Sequence, residues 1–363
     1  MSEDPQRWIS YNALTELAAT EAAERDRDGA FPEGAFAGLR RLGLIGKPPL
    51  QASETACLLR VLAAIGRGNL SVGRIYEGHV NALLLIQWFG SPAQRERSAM
   101  AAKGGALFGV WNTDLANDPA RVESGNLKGA KSFASGVDGL NQAVITVARP
   151  EGRQMLIVPV KDLLADRAWW KPLGMRASGS HVVNFNNLVG VDSMLGAPDD
   201  YLVEPFFSAG VIRCAAAHVG GTHAVFDAAL KHLQRTGRAQ SPHQRHRLGR
   251  MATEVAAGYA WLDYAAGNWA RMDKLPAAAV IACMNAARGA IERAALNVME
   301  LAERSVGVAG MLEPHPLERL SRDLRTYLRQ PNPDGALASV GAAVADGVWL
   351  PDENGLVGVH HGQ

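Results

Sequence analysis

The sequence predicts an α+β chain of several domains: an N-terminal helical domain, a small central β-barrel or sandwich, and a C-terminal four-helix bundle. Three patterns in the 363 residues predict it. Apolar residues recur at helical spacing towards both ends, the apolar period shortens to that of strands in the middle, and the last long helical patterns are rich in alanine, which lets helix backbones approach closely.

Helical spacing runs through residues 14–23, 35–42, 56–65, 71–89 and 92–102, and Gly43, Gly66 and Gly90 fall at breaks where a left-handed cap is easily adopted. This is the N-terminal domain, residues 1–103. Strand-like runs follow at 106–111, 143–147, 155–160 and 181–185, separated by Gly, Asn, Asp and Pro, which sets a β domain over 104–200. Long helical patterns return at 206–235, 244–273, 277–304 and 317–328, giving a C-terminal bundle over 201–348 and a surface tail over 349–363. His360 and His361 in that tail read as solvated, since no other ligand accompanies them.

Lys plus Arg (37) nearly cancel Asp plus Glu (36), so no global charge points to nucleic acid or an anionic membrane, and a small-molecule protein is expected. Cys57, Cys214 and Cys283 lie far apart without metal-ligand spacing and read as buried, reduced thiols suited to the cytoplasm. The acidic start Met1-Ser2-Glu3-Asp4-Pro5 is no export signal, and no apolar run is long enough for a bilayer.

The segment Pro316-Leu317-Glu318-Arg319-Leu320-Ser321-Arg322-Asp323-Leu324-Arg325-Thr326-Tyr327 is an amphipathic helix, stopped by Pro331 and Pro333. Its P-x-E-+-x-x-R-D-x-+-x-Y pattern resembles the C-terminal signature of the acyl-CoA dehydrogenase superfamily, flavoproteins whose domain order is also helical, β, helical. The resemblance covers nearly the whole chain. In that family a glutamate follows the tyrosine and reaches the flavin, but ungapped counting lands on Pro331, and the alternative glutamate position falls on Ala209. Neither residue can take a proton. Asp334 and Glu77 are the carboxylates that a relocated base would use.

Other segments match the family residue by residue. Trp111, Asn112 and Thr113 occupy the strand end whose backbone and threonine meet the flavin, although the loop Leu115-Ala116-Asn117-Asp118-Pro119 departs from the family's phosphate-contacting sequence. Gly129-Ala130-Lys131-Ser132-Phe133-Ala134-Ser135-Gly136 resembles Gly-x-Lys-x-Trp-Ile-Thr-Asn, which implies that Phe133 stacks on the isoalloxazine and Ser135 hydrogen-bonds the N5 region. Without the resemblance, the same segment is an ordinary strand with alternating Phe and Ser faces. Gly174-Met175-Arg176-Ala177-Ser178-Gly179-Ser180 resembles a family turn and supports the β domain more than a catalytic role.

Arg235 and Arg238, with His246 downstream, sit where the family binds the FAD diphosphate and adenine of a partner subunit, with Arg238 in place of a phenylalanine and His246 in place of a glutamine. A solvated basic loop is the competing reading. Arg304, Gly307 and Gly310 occupy another cofactor-contacting turn, which a helix terminator also explains. Tyr76, His79, Val80, Leu83 and Ile86 share one helix face, so His79 is either an inward catalytic group or a satisfied core histidine.

A missing glutamate, a histidine and a serine make the chain similar to the flavin-dependent monooxygenase branch of the fold. The implied chemistry is monooxygenation of a small molecule through a flavin hydroperoxide, with His79 as acid, base or polar anchor and reduced flavin supplied by a partner reductase. The resemblance implies FAD, with FMN also compatible, and a homodimer or homotetramer. The alternatives are an acyl-CoA or acyl-carrier dehydrogenase with a relocated carboxylate, and a degenerate, non-catalytic flavin- or acyl-binding protein.

Overall fold

The computed structural model describes residues 10–185, 188–189, 194–330 and 332–350. The expectations for the acidic N-terminus, Pro331, His360 and His361 lie outside the described residues. The chain forms two compact units, one of residues up to Leu50 with Ala64–Val203, the other of Gln51–Ala63 with residues from Glu204 onward.

Six helices come first: α1 (Tyr11–Ala18), α2 (Ala22–Asp28), α3 (Glu33–Arg41), α4 (Thr55–Gly68), α5 (Leu70–Phe89) and α6 (Pro92–Lys103). Gly43 takes the left-handed conformation expected of it (φ +74°). Gly66 does not break the chain, because α4 runs through it, and Gly90 ends α5 with an extended backbone (φ −75°). Side-chain capping starts α5 firmly, with the Asn69 carbonyl accepting from Ser71 N (2.9 Å). Fourteen of its 20 residues are buried, so α5 is a core helix rather than an amphipathic surface one.

The strands are β1 (Phe108–Trp111), β2 (Arg121–Glu123), β3 (Asn126–Lys128), β4 (Ala130–Ala134), β5 (Gln142–Arg149), β6 (Gly152–Pro159), β7 (Leu164–Asp166), β8 (His181–Asn184), β9 (Leu188–Val189) and β10 (Met194–Leu195). Instead of a closed barrel, the described strands form three small sheets, ordered β1-β5-β6-β10, β2-β3-β9 and β4-β8-β7. β1 runs parallel to β5, and Ala82, Leu83 and Ile86 of α5 bury Phe108, Val144, Met155 and Leu195 of that first sheet. Each such large side chain contributes about 1.5–3 kcal/mol of burial.

The second unit carries α7 (Phe206–Ala209), α8 (Val211–Arg235), α9 (Pro242–Trp269), α10 (Ala277–Val306), α11 (Pro316–Tyr327) and α12 (Pro333–Ala345). α10 packs along both α8 and α9, and α11 lies on α8. Pro333 does not end the helical region. It is instead the first residue of α12, whose cap Asn332 accepts from Gly335 N at 3.2 Å. Proline suits that position because its missing N–H would have had no helical partner. Cys57 is exposed, unlike the buried Cys214 and Cys283. Among the described residues no helix is long and apolar enough to cross a membrane.

Candidate active site

Around Phe133 the β4–β8 ladder slips register between Lys131 and Ala134, and Phe133 adopts a left-handed backbone (φ +54°). This β-bulge breaks the in–out alternation. Ala130, Lys131, Ser132 and Ala134 are buried while the Phe133 ring is turned outward, 38% exposed. Bulges and left-handed non-glycine residues concentrate where a side chain is aimed for use rather than for packing.

Two residues on, the Ser135 hydroxyl meets the Ser180 hydroxyl at 2.8 Å, which meets that of Ser178 at 2.8 Å. The Ser178 carbonyl accepts from Gly136 N (2.8 Å), a turn residue at φ +78°. Ser178 and Ser180 therefore fix the position of Ser135, a role not read from their sequence motif. On the other side, the Trp111 indole donates to the Ser135 carbonyl (3.2 Å).

Lys131 holds the loop after β1. It is fully buried, and its ammonium donates to Asn112 O (2.9 Å) and Asp114 Oδ1 (2.6 Å). Burial pushes its pKa down, and the Asp114 carboxylate opposes that shift. The Asn112 amide oxygen accepts from Thr146 (2.6 Å) and Arg153 (2.9 Å). Thr113 is exposed, and its carbonyl accepts from Ser132 N.

The same arrangement occupies the side chains of three of the residues singled out in the sequence. Trp111 is 1% exposed and the Asn112 side chain is committed to Thr146 and Arg153, so these two side chains hold the loop and Ser135, and any meeting with a cofactor here falls to the backbone, as the resemblance implies. The His79 ring is engaged at both nitrogens. It is fully buried, Nε2–H donates to Ile45 O (2.9 Å) and Nδ1 accepts from Phe108 N–H (3.2 Å). Burial pushes its pKa down to about 4, with the Ile45 hydrogen bond opposing and Arg40 assisting, so the ring is a neutral, satisfied core histidine.

In the second unit, Arg235, Arg238 and His246 are all exposed. Arg235 and Arg238 flank the His232–His315 pair (3.0 Å), whose two pKa values are pushed down first by burial and then by neighbouring positive or imidazole groups. His246 lines a hollow of about 470 Å³ with Arg245, Arg250 and Glu254. The adjacent Arg247 donates to the Arg304 carbonyl (3.3 Å), which draws the start of α9 to the end of α10. The Arg304 guanidinium pairs with Glu300 (2.6 Å). Gly307 caps α10 at φ +79° with open space beside it. Gly310 is a packing residue, since a Cβ there would press on Leu317 and Val306.

Residues 201–328 match the family model described as acyl-CoA dehydrogenase, C-terminal domain. A dibenzothiophene monooxygenase from Mycolicibacterium goodii is 22% identical over 90% of this chain and 91% of its own. The crystal structure of TdsC from Paenibacillus sp. A11-2 with FMN and indole superposes with a TM-score of 0.80 at 17% identity, over 93% of this chain and 96% of that one. Butyryl-CoA dehydrogenase from Megasphaera elsdenii gives a TM-score of 0.79 at 17% identity, over 95% and 99%. The chain has the acyl-CoA dehydrogenase fold.

Within the acyl-CoA dehydrogenase fold, the two familiar base positions hold no carboxylate here. Ala209 is buried, and Pro331 lies outside the described residues. The two relocated candidates have different surroundings. The Glu77 carboxylate is buried and bound by Arg74 (2.7 Å) and Asn81 (2.6 Å), while Asp334 is an exposed residue in the first turn of α12. Helical periodicity signalled neither fate.

Proposed function

We propose that the chain is a flavin-dependent oxidoreductase that monooxygenates a small molecule, using reduced flavin supplied by a partner reductase. The observation that carries this reading is the outward Phe133 ring on its left-handed bulge, two residues from a Ser135 hydroxyl held by Ser180. An exposed aromatic face and a fixed hydroxyl fit the ring of a flavin, and the exposed Arg235 and Arg238 suit the phosphates of a cofactor held by a partner subunit, as the resemblance implies. When bound, the flavin supplies the redox chemistry, including the activation of oxygen.

The chain's own residues then have defined tasks. Phe133 offers the stacking surface, Ser135 donates or accepts one hydrogen bond at the ring edge, and the Trp111 indole keeps Ser135 in place. The likeness to a dibenzothiophene monooxygenase and to TdsC supports oxygen insertion over thioester oxidation. So does the engagement of Glu77 by Arg74 and Asn81, because removing an α-proton requires a carboxylate free to accept it.

FAD and FMN share this ring chemistry, and TdsC is described with FMN. Mass spectrometry of flavin retained by the purified protein distinguishes the two. We place the protein in the cytoplasm as a homo-oligomer, by the same resemblance. The deciding experiment mixes anaerobically reduced, flavin-loaded protein with oxygen. A transient absorption band distinct from reduced and oxidised flavin supports the reading. Direct reoxidation without it, or bleaching by an acyl thioester without oxygen, overturns it.

A further inference from the structure

A cleft of about 730 Å³ opens within the first unit, between the end of α2 and residues 167–181. Four cations line it, Arg27, Arg167, Lys171 and Arg176, against two carboxylates, Asp28 and Asp138, so positive charge is in excess by two. Arg167 is held by Asp138 (Nε–Oδ1 3.0 Å), whereas Arg27, Lys171 and Arg176 make no ion pair among the described residues. Such an imbalance suits an anion.

Two ring nitrogens on the lining define what else the ligand carries. His181 is 5% exposed and its Nε2 lies 3.5 Å from Asp138 Oδ2. That carboxyl is held below its usual range by His181 first and Arg167 next, against the effect of burial, so it is a charged acceptor for the Nε2 proton. Nδ1 is buried and unpartnered, and in the tautomer that donates from Nε2 it presents a lone pair. Trp170 also lines the cleft, and its indole N–H is likewise buried without an acceptor. Buried polar groups are nearly always paired, so these two nitrogens call for a partner that accepts from one and donates to the other. A hydroxyl does both.

Two aromatic rings, Phe31 and Trp170, line the cleft, and Trp170 lies 6.2 Å from the Phe133 ring. Trp169 and Trp170 stack at 6.3 Å, Phe31 seats against Gly139, where any Cβ would overlap its ring, and Phe133 meets Trp169 edge-on at 4.9 Å. The cleft therefore adjoins the outward Phe133 ring within one unit.

We propose that this cleft binds an aromatic oxyanion bearing a hydroxyl group, with the oxyanion on the Arg27–Lys171–Arg176 rim and the hydroxyl between Trp170 Nε1 and His181 Nδ1. Calling that ligand the substrate rests on the monooxygenase reading, whereas binding itself does not. The test is therefore calorimetric titration of the flavin-free full chain with 3-hydroxybenzoate, benzoate, phenol and inorganic phosphate. The expected result is one site for 3-hydroxybenzoate, with benzoate and phenol each about tenfold weaker, the loss from one missing hydrogen bond or charge contact.

Lys171→Ala, at an exposed position, and His181→Ala each weaken 3-hydroxybenzoate by about tenfold. Arg149→Ala, outside the cleft, does not. No saturable binding at millimolar concentration, phosphate binding as tight as the aromatic acid, or indifference to both cleft substitutions overturns the proposal. Binding without oxygen chemistry in the stopped-flow experiment would sink the monooxygenase reading and leave the cleft assignment standing. The converse result separates them equally well.

Discussion

The indole N–H of Trp111 donates to the carbonyl of Ser135 at 3.2 Å, tying the end of β1 to the residue that follows the β4 bulge. Trp111→Phe keeps an aromatic ring in the core but removes that bond and leaves a cavity where the indole's second ring lay. The loss is about 1–3 kcal/mol of stability, and the freed carbonyl loosens Ser135. We expect a fall of a few degrees in melting temperature and a larger fall in flavin affinity, measured by fluorescence titration. Unchanged flavin affinity would remove Trp111 as a positioning residue.

Ser180 holds Ser135 from the other side at 2.8 Å. Ser180→Ala should shorten the lifetime of the oxygen-dependent transient by about tenfold, the kinetic equivalent of one lost hydrogen bond. Ser135→Ala should shorten it at least as much. A transient that outlives both substitutions contradicts a role for this hydroxyl pair.

Stability should fall in acid through two core histidines. Burial lowers His79 to about 4 and His218 to about 3 from the usual 6.5 of histidine, so both are neutral in the folded chain. Below pH 6.5 the unfolded chain takes up protons that the folded chain refuses. The contribution is thus complete above that pH and is lost as pH falls towards 4, by about 3 kcal/mol for His79. Urea unfolding at pH 5 and pH 7 measures it, and His218→Gln should shrink the difference between the two.

Lys131→Met should be strongly destabilising despite its apolar fit. It leaves the Asp114 carboxylate and the Asn112 carbonyl without the buried ammonium, at a cost of about 3 kcal/mol. Asp114→Asn together with Lys131→Met should recover part of that stability in denaturant titrations, because no uncompensated charge remains.

Arg235→Ala and Arg238→Ala touch exposed residues and should leave thermal stability nearly unchanged. If they hold the flavin phosphates, each weakens flavin binding by about tenfold and flattens its dependence on salt. Equal affinity for riboflavin and the phosphorylated flavins would assign these arginines to a solvated basic surface instead.

The order of helical, β and helical regions was legible because apolar period survives without knowledge of partners. α12 was not, because the prolines at 331 and 333 read as a stop, and only the Asn332 cap shows Pro333 starting a helix. For His79, the shared face with Tyr76 and Leu83 correctly places the ring inward. Periodicity cannot say that the Ile45 carbonyl and the Phe108 amide occupy both nitrogens. Phe133 and Ser135 were singled out by motif, but the bulge that turns the ring outward depends on register with β8. Asp138, Trp170 and His181 were missed because tertiary folding alone brings them together with α2.

The left-handed backbone at Phe133 has an engineering consequence. Any residue with a Cβ loses about 1–2 kcal/mol there, so Phe133→Gly should make the isolated fold more robust while stripping away its aromatic platform. Screening libraries for heat tolerance alone would drift towards that glycine. β-Branched replacements would be purged for the opposite reason, leaving tyrosine and tryptophan as the substitutions through which the ring could be retuned.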